Sequence, residues 1–119
     1  MPKILILEDN AGRIAYFRRL YPKASIIETA QETIDALRGF DWDYLSLDHD
    51  LGGENFVDSS RLDCGMEVVR WLVEHHQKGI NITVHTANKR AADLMSSALE
   101  SAGYTVTKYP FGGEYDPRG

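Results

Sequence analysis

Acids and imidazoles recur in this sequence directly after short apolar runs. Glu8 and Asp9 follow residues 3–7, Asp48, His49 and Asp50 follow residues 43–47, and His85, with Thr86 behind it, ends residues 80–85. Carboxylates crowded together repel one another unless a cation or a proton sits among them. Glu8, Asp9, Asp48 and Asp50 are therefore candidate metal ligands. Oxygen donors suit Mg²⁺, Mn²⁺ or Ca²⁺, and a nearby imidazole tilts the choice towards a transition metal. Imidazole titrates near neutrality, so His49 and His85 can divide acid–base work, one accepting a proton while the other donates one. Thr86, Asn88 and the amides opening the following helix can hold phosphate oxygens. Arg61, Lys89 and Arg90 would add charge from the rim. The ordinary alternative is local: Asp9 and Asn10 cap a helix, and Asp48 or Asp50 starts a turn. That alternative is adequate for any one acid and poor for three converging stretches.

Other chemistry-bearing residues read differently. His75 and His76 fall late in a helix, where a cation complements the dipole, and His76 lies on the core stripe. Neither is given a catalytic role. Cys64 stands at a helix start, which can lower a thiol pKa, but no base partner is evident and a packed thiol is the simpler reading. Trp42 and Trp71 read as core or edge aromatics.

The elements that must position these residues alternate in type. Residues 3–7, a continuous apolar run, suit a central parallel strand buried on both faces. Asn10 caps a helix with Ile14, Phe17, Leu20 and Tyr21 on one side. Residues 25–28 form a second strand. Thr29 and Glu32 have capping-box spacing ahead of a helix carrying Ile34 and Leu37. The third strand, 43–47, leads into Asp48-His49-Asp50 and a long loop over 51–63. Met66, Val69, Leu72 and Val73 mark a helix ending near Gly79. Residues 80–85 are a fourth strand. Asn88 caps a helix with Ala91, Ala92, Met95, Leu99 and Ala102 inward, Gly103 closes it, and 104–108 form a fifth strand. This order demands right-handed crossovers and a parallel sheet covered on both faces. Ligands of such sheets bind outside the carboxyl ends of the strands, where the acids and histidines fall. No helical pattern follows the fifth strand, so the tail or a second copy must cover one face. A homodimer is one expectation.

A chain of 119 residues suits one domain, here 1–109 with a C-terminal tail over 110–119, and its 43% hydrophobic and 26% charged content is that of a folded protein. The net charge of −5 argues against a broad duplex nucleic-acid surface, which needs basic patches. The opening apolar run is too short for a membrane span and lacks the flanks of a signal peptide. A lone cysteine calls for no oxidising compartment, so a cytoplasmic location is expected.

Leu-Glu-Asp at 7–9, Leu-Ser-Leu-Asp at 45–48, Thr-Ala at 86–87 and Pro-Phe at 110–111 resemble the response-regulator receiver domain, in order and over nearly the whole chain. The resemblance implies a three-layer, doubly wound α/β fold, receiver- or flavodoxin-like, with five parallel strands in the order 2-1-3-4-5 and the last helix lacking. It implies Mg²⁺ on Glu8 and Asp9, Asp48 as phosphoacceptor and Thr86 as the switch hydroxyl. Receivers carry a lysine directly before that proline, to contact the phosphoryl group. Here Tyr109 stands there, and Lys108, one residue early, should face the other way. Leu-Asp-His-Asp-Leu-Gly at 47–52 and His-Thr-Ala-Asn at 85–88 resemble a divergent branch, the cyclic-phosphate processing receiver domains.

That branch implies a phosphoesterase, a cyclic phosphodiesterase or hydrolase, acting on a cyclic nucleotide or an RNA terminus. Its catalytic residues would be His49, His85 and Asp48. Thr86, Asn88 and Arg61 would hold the substrate, and Glu8, Asp9, Asp48 and Asp50 would bind Mg²⁺ or Mn²⁺. The alternatives are a signalling module phosphorylated on Asp48 and a non-catalytic binder.

Overall fold

The strand Ile4–Leu7 is a short apolar run that ends where acids begin, and three of the four described helices start at a side-chain cap. A computed structural model describes residues 2–51 and 60–109. The order is β1 (Ile4–Leu7), α1 (Ala11–Leu20), β2 (Ser25–Ile27), α2 (Ala30–Gly39), β3 (Tyr44–Leu47), α3 (Gly65–Glu74), β4 (Asn81–Val84), α4 (Lys89–Ser101) and β5 (Thr105–Lys108). Asn10, Thr29 and Asn88 each accept a backbone N–H three residues on, so α1, α2 and α4 begin where their cap residues dictate. The Thr29 hydroxyl also donates to Glu32 Oε1 at 2.8 Å, which ties the cap to the first turn.

The sheet runs β2-β1-β3-β4-β5 and every neighbouring pair is parallel. Its two faces are unequal. Leu5, Leu7, Leu45, Leu47, Ile82 and Val84 pack with α2, α3 and α4 into the main core. On the other face Ile6 packs with Tyr16 and Phe17 of α1. Beside α1 that face bears a groove of about 490 Å³, floored by Ile4, Ile6, Ser46, Thr83, His85 and Thr107. Leu20 and Tyr21, read from the sequence as part of the inward stripe of α1, instead lie exposed at its rim with Tyr44. The residues expected to help cover this face, 110–119, lie outside the described residues, as do 52–59 of the long loop.

α3 is shorter than its sequence pattern suggests. It ends at Glu74, with His75 as its cap. The Tyr104 hydroxyl donates to the Leu72 carbonyl at 2.8 Å and accepts the Gln77 N–H at 2.8 Å. A further helical turn would direct the His76 N–H to that same carbonyl. His76 is therefore outside the helix and exposed, stacked on Tyr104 at 4.6 Å between ring centroids, and not on a core stripe. Val73 is likewise exposed. Gly79, at φ +72°, makes the turn into β4.

Candidate functional site

The ladder continues one residue beyond the strands. The N–H groups of Glu8, Asp48, His85 and Tyr109 donate to Ile27, Leu7, Leu47 and Val84 carbonyls at 2.7–3.1 Å. These residues therefore stand side by side in one row at the carboxyl edge. Strand alternation turns them to the face that carries Ile6, Ser46, Thr83 and Thr107. His49, one residue on, turns to the other face.

Glu8 has no exposed surface and is held at both oxygens. One accepts from Arg13 Nε at 2.8 Å and pairs with His85 Nε2 at 3.1 Å; the other accepts the N–H groups of Asp9 and Asn10 at 3.1 Å each. Burial pushes its pKa up, but the bonds from His85 and Arg13 prevail and bring it down to about 2. Asp48 is 1% exposed. It accepts the His49 N–H at 2.8 Å, and Arg13 reaches its other oxygen only at 3.5 Å. Burial, then the charge of Glu8, push Asp48 up to about 8. Two adjacent carboxyls thus have opposite states at neutral pH.

Glu8, Asp9 and Asp48 each offer an oxygen within 4.8 Å of the others. An all-oxygen donor set and a buried acid that keeps its proton for want of positive charge fit a divalent cation such as Mg²⁺ or Mn²⁺. Asp50, expected among these ligands, stands outside the cluster. Its Oδ1 lies 2.8 Å from His49 Nδ1 and accepts from Asn88 Nδ2 at 3.4 Å.

The structure does not bring His49 and His85 together. His85 is buried on the α1 side, with Nδ1 2.5 Å from Ser46 Oγ, Nε2 on Glu8 and its ring edge-on to Phe17 at 5.0 Å. Burial holds its pKa below the usual value. His49 lies towards α3. Burial opposes its protonation, yet pairing with the Cys64 thiol and with Asp50 raises its pKa. Cys64 therefore has the base partner that the sequence did not reveal. Burial works against its thiolate, and the His49 bond and the first amides of α3 overcome it and lower its pKa. The two imidazoles thus have separate partners, His85 with Ser46 and Glu8 and His49 with Asp50 and Cys64.

Of the expected substrate-binding residues, Thr86 is buried and its hydroxyl accepts the Asn88 N–H at 3.2 Å. Asn88 caps α4 through Oδ1 at 3.1 Å, so it positions α4 and Asp50. Arg61 grips Asp63 with two bonds of 2.9 and 2.6 Å. Lys108 faces α4, 3.2 Å from Asp93, as strand alternation requires. Arg13 was missed. Its signal was a cation in the first turn of a helix, against the dipole, close behind two acids.

One close approach fixes the edge. The Gly65 N–H donates to the His49 carbonyl at 2.9 Å, and a Cβ on Gly65 would sit 1.8 Å from the Asp48 carbonyl oxygen. No side chain fits there.

A five-stranded parallel sheet with an acid row at its carboxyl edge defines a receiver-like α/β domain. The chain belongs to the cyclic-phosphate processing receiver domain family, whose profile matches residues 3–101. Among solved structures it is similar to the response regulator TrrA from Thermotoga maritima in complex with Mg²⁺-BeF, at TM-score 0.68 and 18% identity over 98% of this chain and 90% of that one. A response regulator from Burkholderia pseudomallei with a phosphorylated aspartic acid and a calcium ion gives TM-score 0.68 and 13% identity, over 99% and 63%. The CheY-like receiver domain from Methylobacillus flagellatus gives 0.65 and 17%, over 98% and 89%. No curated protein matches the sequence. Among the described residues, no helix is long and apolar enough to cross a membrane.

Proposed function

We propose that this domain is a phosphoesterase that opens a cyclic phosphate, carried by a nucleotide or an RNA terminus, at the Glu8–Asp9–Asp48 edge. The observation that carries this reading is the split between the two buried carboxyls, Glu8 at about 2 and Asp48 at about 8. Environments that drive neighbouring acids apart assign them different tasks. Glu8, Asp9 and Asp48 would hold Mg²⁺ or Mn²⁺, which when bound supplies Lewis-acid charge to a phosphate oxygen.

The chain's own groups do the rest. Glu8 is a permanent anion, fixed in place by His85 and Arg13. Once a cation has displaced its proton, Asp48 is a carboxylate, and an oxygen not engaged by the cation receives the proton released by the attacking water. Water adds to phosphorus, one ring P–O bond breaks, and the freed ribose oxygen takes up a proton from solvent. The Thr86 hydroxyl, which accepts from Asn88, donates its own hydrogen to a phosphate oxygen. His85 and His49 act through the carboxylates they hold, as positioning residues.

A second reading is transfer of a phosphoryl group to Asp48 itself. It is favoured by the place of Asp48 at the end of β3 and by likeness to receivers. The lysine that would assist it from β5 is replaced by Tyr109. Phosphorus NMR of 2′,3′-cyclic and 3′,5′-cyclic nucleotides, with and without Mg²⁺ or Mn²⁺, tests both. Ring-opened monoester formed by the wild type and not by Asp48→Asn is the expected result. No turnover, together with an acyl-phosphate signal after treatment with a small phosphodonor, would replace it with the second reading.

A further inference from the structure

A phosphate group at the acid edge needs a cation from the protein, and the row supplies none. Tyr109 occupies the β5 place in the row, Lys108 faces α4 and pairs with Asp93, and Arg61 is gripped by Asp63. The described cation whose hydrogen bonds reach the acid pair comes from a different element. Arg13, in the first turn of α1, lies between Glu8 and Asp48 and is 27% exposed.

Its contacts with Glu8 and Asp48 are unequal. Nε is 2.8 Å from Glu8, a short charge-assisted bond to a carboxylate without exposed surface. The NH2 end is 3.5 Å from Asp48, at the limit of hydrogen bonding. A guanidinium can keep one edge on an anchor while its other donors serve a second anion, which a lysine ammonium does less well. We infer that Arg13 is the phosphate-binding cation of this domain. Its Nε stays on Glu8, and its NH2 end leaves Asp48 for a phosphate oxygen once a divalent cation takes over Asp48. This rests on the reading of the edge as a cation and phosphate site. It assigns to α1 the positive charge that receivers bring from β5.

The test is calorimetric titration of Mg²⁺, then of inorganic phosphate at saturating Mg²⁺, at pH 8.5. In Arg13→Ala, Mg²⁺ binds about fivefold tighter or more, because a partly buried positive neighbour is gone. Phosphate binds about tenfold weaker or more, because a charge-assisted fork is lost. Arg13→Lys brings Mg²⁺ affinity back to that of the wild type without restoring phosphate affinity, and it carries the test should Arg13→Ala not fold. Wild-type phosphate affinity in Arg13→Ala, or in Arg13→Lys where only that variant folds, overturns the role of Arg13 and leaves the cation site standing. A wild type that binds neither Mg²⁺ nor phosphate overturns both this inference and the function on which it rests.

Discussion

At the scale of single residues, the site is governed by how two carboxyls share one cation. His85 and Arg13 hold Glu8 ionised, while burial and the charge of Glu8 keep Asp48 protonated, its bond to Arg13 at 3.5 Å being too long to offset them. A divalent cation needs Asp48 as carboxylate, and binding must therefore expel its proton. Titration of Mg²⁺ at pH 7 in buffers of different ionisation enthalpy should show close to one proton released per ion, falling towards zero above about pH 9. Release near zero already at pH 7 would mean that Asp48 is ionised before the cation binds. The residue types were legible in the sequence, because acids and imidazoles after apolar runs announce an edge. Their partners were not. That His85 serves Glu8, and that Cys64 faces His49, depends on which side of the sheet each residue takes. That follows only from pairing between distant strands.

At the scale of elements, caps and turn residues made the strands and helices readable, and all five strand ends fell within a residue of expectation. The end of α3 did not, because its stop signal is the hydroxyl of Tyr104, a residue distant in sequence. Its start is stricter. Gly65 presses α3 against the backbone of Asp48 and His49, which a pattern of apolar residues cannot disclose. Gly65→Ala should destabilise the fold by about 1–3 kcal/mol or more, since neither backbone can yield without moving the acid edge. It should weaken Mg²⁺ binding as well. Thermal melts and metal titration of the same variant check this; a lowered melting temperature with unchanged affinity would show that α3 moves and Asp48 does not.

At the scale of the whole molecule, the acid edge is a source of instability that a ligand relieves. Asp48 has a folded pKa of about 8, against an ordinary value of 3.8. The folded state therefore binds the extra proton between those values, and stability is lost as pH rises through that window. Glu8 works in the opposite sense, contributing stability above its ordinary value of 4.5 that is lost as pH falls towards 2. His49 and His85 shift in opposite directions and so oppose each other across neutral pH. The metal-free protein should melt lower at pH 8 than at pH 5. Asp48→Asn should remove most of that slope and raise stability at pH 8 by about 1–3 kcal/mol. Scanning calorimetry across pH decides it, and a wild-type melting temperature that rises steadily from pH 5 to 8 would contradict it.

The row of Glu8, Asp48, His85 and Tyr109 is held by main-chain N–H groups. Those bonds do not depend on which side chain each position carries. A mutation in the row can exchange an acid for an amide, or a lysine for a tyrosine, while the sheet beneath keeps its register. Such an edge is open to evolutionary change at low structural risk. Chains only 11–18% identical to this one share its fold, so one backbone edge can carry different side chains while the sheet beneath it stays the same.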